Sequence, residues 1–186
     1  DSTASSVEID QAIKNSDSGP LFSLDESLLR ELGPDLILTQ SACSICAIDV
    51  EAVSGIAAAL ALPNGGHPDV LALAPQSLSE LIDDIALVGE KIGEQAKATK
   101  LIATLNKRMT AVTTGTQKLE MIRGKKPRIA LIEWLDPPMS AGNWVPEMIH
   151  MAGAVDALKA DAGKSHWIQW PDVAAADPDI VILIPC

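Results

Sequence analysis

Apolar residues fall into two alternating kinds of run along this chain. Short unbroken blocks read as buried strands, and longer stretches with apolar positions three and four apart read as helices. The first helix is predicted near residues 7–15, before a Ser-Asp-Ser-Gly-Pro turn at 16–20. Ser23 with Glu26 three residues on has the form of a capping box, opening a helix with Leu28, Leu29 and Leu32 on its apolar face. Gly33-Pro34 ends it, and residues 36–39 form a continuous apolar strand of the parallel-sheet kind. A helix at about 49–60 carries Val53, Ile56, Ala57 and Leu60 at helical spacing, with Asn64-Gly65-Gly66 as the following turn.

A second strand is expected at 70–74, then a long helical region from Ser77. Its stripe of Leu78, Leu81, Ile82, Ile85, Val88 and Ile92 breaks at Gly93 and resumes through Ala96, Ile102, Leu105, Met109 and Val112. This predicts two helices. The second, about 94–119, would be ~40 Å long at 1.5 Å per residue, enough to join two lobes. After a basic turn at 123–128 the pattern repeats: strand 128–133, helix 144–151, helix 171–176, strand 180–184.

Strands alternating with helices on both sides of a long helix predict an α/β fold. Two Rossmann-like lobes with parallel sheets are expected, divided as 1–92, a connecting helix at 93–122, and 123–186. Only two confident strands appear in each lobe, where open sheets commonly have about four to six. Both lobes are therefore expected to be incomplete, with segments missing at both ends or supplied by a partner chain. Exposed sheet edges of that kind would favour a dimer.

Composition narrows the function. Hydrophobic residues make up 47% of the 186, and the mean hydropathy of +0.19 fits a folded chain, not a disordered one. A net charge of −11, from 25 acidic against 14 basic side chains, repels phosphate backbones, so nucleic acid is not an expected partner. The apolar runs are strand-length, well short of the roughly 20 residues of a membrane span, so no membrane insertion is expected.

Ligands of open α/β sheets sit beyond the carboxyl ends of the strands, which directs attention to the residues that follow each strand. These are Gln40, Cys43 and Cys46 after the first, and Trp134 and Asp136 after the third. Cys186 follows the last. Trp134 and Trp144 flank an Asp-Pro-Pro loop and an Ala-Gly-Asn turn, where two indoles could form a flat apolar wall with a polar N–H. Trp167 and Trp170 are left outside this candidate set. Cys43-Ser-Ile-Cys46 follows a strand and opens a helix, a placement that suits a reactive thiol pair. Alternatively Cys43, Cys46 and Cys186 could converge on a soft metal, or be small buried residues. His67, His150 and His166 show no metal-ligand spacing. No phosphate loop, Ser-His-Asp order or catalytic carboxylate pair is present, so an enzyme is not expected.

These residues also carry a family resemblance. Pro34-Asp-Leu-Ile-Leu-Thr-Gln40, Val70-Leu-Ala-Leu-Ala-Pro75 and Ser77-Leu-Ser-Glu-Leu81 resemble class III substrate-binding proteins. So do the 128–134 strand, Gly142-Asn-Trp-Val-Pro-Glu-Met-Ile-His-Met-Ala-Gly153 and the 170–183 segment. The resemblance is greatest to the cobalamin-binding branch. It implies the ligand-binding component of an ABC-type uptake system, holding cobalamin or a ferric siderophore between two lobes with Gln40, Trp134 and Trp144 in contact. It implies no required cofactor beyond a bound corrinoid or iron chelate. Acidic residues that dock on a transporter permease would be Asp49 or Glu51 on the first lobe and Glu147 on the second. The implied location is periplasmic or extracytoplasmic, with a cytoplasmic one open because no signal peptide is visible. The alternative from the residues alone is a thiol- or metal-dependent redox protein built on Cys43 and Cys46.

Overall fold

The structure is a computed structural model that describes residues 4–14, 23–41, 48–62, 65–158 and 164–184, apart from the side chain of Arg123. The chain divides into two compact units, one of Ala12–Ala74 and one of Asp1–Gln11 with Pro75–Cys186. The first helix, α1 (Ser6–Lys14), runs from the second of these into the first. Ser5 and Glu8 satisfy its free N–H groups reciprocally, since Ser5 N–H donates to Glu8 Oε2 at 2.7 Å and Glu8 N–H donates to Ser5 Oγ at 3.3 Å. The Ser5 N–H bond, together with the Ser5 hydroxyl donating to the same Glu8 Oε2 at 2.8 Å, holds the Glu8 carboxyl below the usual glutamate range, because both bonds are made best to the ionised form.

In the Ala12–Ala74 unit, α2 (Glu26–Leu32) begins later than the Ser23 capping box predicts. Asp25 is the cap: its Oδ1 accepts Leu28 N–H at 2.9 Å. Gly33 closes α2 with φ at +52°, where its missing side chain removes the usual strain. Strands β1 (Leu36–Gln40) and β2 (Asp69–Leu73) pair in parallel, Leu36 opposite Asp69 through Gln40 opposite Leu73. The crossover between them is α3 (Val50–Ala59), capped by Asp49. Its Val53 and Ala57 are buried together with Leu60 and Leu62.

In the other unit, α4 (Leu78–Lys91) starts at a Ser77 cap and stops at Gly93, whose φ is +71°. α5 (Gln95–Arg123) then runs 29 residues, about 43 Å, longer than the apolar stripe alone predicts. Beyond it stands a five-stranded mixed sheet. Its centre is β3 (Arg128–Leu135), paired in parallel with β5 (Val155–Asp156) and β7 (Ile180–Leu183). The same strand folds back antiparallel onto β4 (Pro138–Ser140), and β4 pairs antiparallel with β6 (His166–Trp167). That antiparallel extension departs from the purely parallel lobe expected from sequence. Helices α6 (Val145–Met151) and α7 (Trp170–Ala175) complete the unit.

Alternation along β3 sends its side chains into two separate cores. Ala130 and Ile132 pack with Ile168 and Val173, and Leu135 joins them; Ile129 packs with Ile149 and Ala154, and Leu131 and Val145 join those. α6 thus covers one face of the sheet near its parallel end and α7 the other. β7 is apolar throughout, yet each of its residues is exposed, and among the described residues it pairs with β3 alone. No helix among the described residues is long and apolar enough to cross a membrane.

Candidate functional site

The carboxyl end of β3 gathers most of the chemistry. A register shift between Ile132 and Trp134 re-aims the strand there. Because Leu135 packs into the α7-side core, its neighbour Trp134 faces the α6 side. Trp134 lies opposite Met139 of β4, and Met139 lies opposite Trp167 of β6. Directly opposed residues of antiparallel strands share a face, with Cβ atoms roughly 4.5–5.5 Å apart. Trp134, Met139 and Trp167 therefore form one cross-strand row, indole, thioether, indole. Thioether sulfur and aromatic rings attract one another favourably.

Trp144 is the N-cap residue of α6, the helix packed against β3 through Ile149 and Val145. Trp134 and Met139 are half-buried, and Trp167 is 51% exposed, so the row presents apolar surface that the core does not use. Its polar handle is partly committed: Trp134 Nε1–H donates to the Asp136 carbonyl at 3.2 Å. Asp136 is exposed in the turn between β3 and β4, and its bond to Pro137 is cis. On the opposite face of this extension, buried Ser140 lies opposite His166, with Ser140 Oγ 2.8 Å from His166 Nδ1.

The other expected site residues are scattered. Gln40 is the last residue of β1 and half-buried, in the Ala12–Ala74 unit. Asp49 spends one carboxylate oxygen as the cap of α3, accepting Glu51 N–H at 3.0 Å, and Glu51 is exposed in the first turn. Glu147, in the first turn of α6, accepts the Leu78 N–H at the start of α4 at 3.1 Å. It helps line an open groove of about 730 Å³ between α4, α5 and α6. Cys43, Cys46 and Cys186 lie outside the described residues. Among the described residues, no three of His, Cys, Asp and Glu stand where they could hold a metal ion.

Met139 and Trp167 were not anticipated. Their membership rests on the pairing of a three-residue and a two-residue strand, which leaves no periodic trace in sequence.

A unit with a parallel two-stranded sheet, a long helix, and a mixed sheet with an apolar wall at one strand's carboxyl end together make an α/β protein. The chain belongs to the periplasmic binding protein family, whose model matches residues 23–186, in its class III form. The fold is similar to that of the periplasmic heme-binding protein RhuT from Roseiflexus sp. RS-1 in its apo form. That similarity has a TM-score of 0.67 and 22% identity, over 87% of this chain and 58% of that one. It is also similar to the vitamin B12 binding protein BtuF of Vibrio cholerae, with a TM-score of 0.61, 15% identity, and 93% and 62% covered. S. aureus IsdE complexed with heme matches with a TM-score of 0.65 and 15% identity, over 88% and 58%. The chain thus spans about three fifths of the length of these proteins. No curated protein matches it.

Proposed function

We propose that this chain is the ligand-binding component of an extracytoplasmic ABC-type uptake system, and that it captures a large metal-bearing macrocycle or chelate, a corrinoid or an iron complex such as heme. The observation that carries the reading is the Trp134–Met139–Trp167 row at the carboxyl end of β3, with Trp144 at the head of the neighbouring helix. A broad apolar wall with few polar groups suits a wide, flat ligand, and affinity there comes from burial on a rigid surface with no bond made or broken. Solved proteins of this fold are described as binding heme or vitamin B12, which supports the same ligand class. Gln40 is a further candidate polar contact at the carboxyl end of β1, capture needs no resident cofactor, and a permease is the partner, docked through Glu51 and Glu147.

The test is a titration with hemin, cyanocobalamin and a ferric siderophore, following tryptophan fluorescence. Saturable quenching by one of the three, weakened at least tenfold in Trp134→Ala, is the expected result. A folded sample that responds to none of them overturns the proposal.

A further inference from the structure

Building on that binding reading, we propose that Ser140 and Gly142 are positioning residues, which dock the segment 164–167 against β4 and so set Trp167 in the ligand wall. β6 is only two residues long, and among the described residues its one sheet partner is β4. Two ladder pairs make a short anchor, and two further contacts from the β4 side add to it.

The first contact is polar. Ser140 is 1% exposed, and its hydroxyl reaches three atoms of His166: Nδ1 at 2.8 Å, the backbone nitrogen at 3.4 Å and the carbonyl oxygen at 3.4 Å. A hydroxyl has one proton to give and two lone pairs. One assignment satisfies every partner: the hydroxyl donates to the carbonyl and accepts from both N–H groups, with the imidazole proton on Nδ1. Oγ is then fully used, and a single buried atom fixes both the backbone and the ring of His166, the residue next to Trp167.

The second contact is steric. Buried Gly142, two residues past Ser140, has no room for a side chain, since a Cβ there would lie 2.1 Å from Ser165 N and 2.4 Å from Lys164 C. The obstacle is backbone, which cannot rotate away as a side chain could. The approach of 164–165 to this glycine therefore sets the height at which the chain enters β6. Together the two contacts place Trp167 opposite Met139, while His166 turns to the opposite face.

The experiment uses the whole chain carrying 5-fluorotryptophan, whose four tryptophans give separate fluorine resonances, with Trp167 assigned through Trp167→Phe. Variants Ser140→Ala, His166→Ala and Gly142→Ala are expected to shift or broaden the Trp167 resonance. The Trp170 resonance should stay in place. Each should also weaken hemin or cyanocobalamin binding by about fivefold or more, the scale of one lost hydrogen bond. His166→Asn keeps an N–H donor at the same distance from Cβ and should restore both the resonance and the affinity.

An unmoved Trp167 resonance in Ser140→Ala and Gly142→Ala overturns the inference. So does equal movement of all four resonances, which marks general loss of packing. If the wild type binds none of hemin, cyanocobalamin and the ferric siderophore, the binding reading fails and the fluorine spectra still judge the docking. If it binds and Ser140→Ala binds equally well, the inference fails and the binding reading stands.

Discussion

Ile132 shows most directly what a single side chain does here. It is 0% exposed at the middle of β3, packed with Ala130, Ile168 and Val173, and it lies opposite Ser140. Truncation to alanine leaves a cavity between a strand and a helix that neither can fill. Ile132→Ala should cost about 2–5 kcal/mol, read as a lowered urea midpoint at unchanged slope. The α2 cap gives a second residue-level contrast. Ser23 and Asp25 both stand where a cap could be, and only the observed bond from Leu28 N–H to Asp25 identifies which one acts. Asp25→Ala is expected to destabilise by about 0.5–2 kcal/mol and Ser23→Ala by almost nothing, measured by thermal melting of both variants. The site was legible to a similar depth. Trp134 and Trp144 stand out in sequence because each follows or opens an element, whereas Trp167 joins them only through a register that two very short strands create.

At the level of elements, the helices and the apolar strands were legible and the two- and three-residue strands were not. α3, α4 and α5 show apolar positions at helical spacing, and β1, β2, β3 and β7 are unbroken apolar blocks, so pattern alone finds them. β4, β5 and β6 have two or three residues each, and β4 begins with Pro138, a residue that argues against a strand unless its pairing is known. The packing of α4 on α5 was equally hidden. Gly89 of α4 is buried, and a Cβ there would meet Ala98 Cβ of α5 at 2.3 Å. Helix propensity favours alanine over glycine by about 1 kcal/mol, so an exposed Gly89 would be stabilised by the change. Here the clash with a neighbouring helix opposes that gain. Gly89→Ala should lower stability by about 1–3 kcal/mol, and adding Ala98→Gly should recover part of the loss, as a double-mutant cycle in urea would measure.

For the whole molecule, the unequal construction of the two units governs how it unfolds. The Ala12–Ala74 unit has a two-stranded sheet, and its described core is Val53, Ala57, Leu60 and Leu62. The described strands and core of this unit are marginal by themselves. The other unit has five strands with separate cores on both faces of β3. All four tryptophans lie between residues 134 and 170, so indole emission reports only that second unit, while far-UV circular dichroism also counts α2 and α3. The two signals should consequently separate in a urea titration, with ellipticity beginning to fall before the emission shifts. A saturating ligand held mainly by the tryptophan wall should widen the gap, because it stabilises the unit that binds it by mass action. Superimposable curves, with and without ligand, would mean instead that the units unfold as one cooperative block and that the small core is sustained by its neighbour.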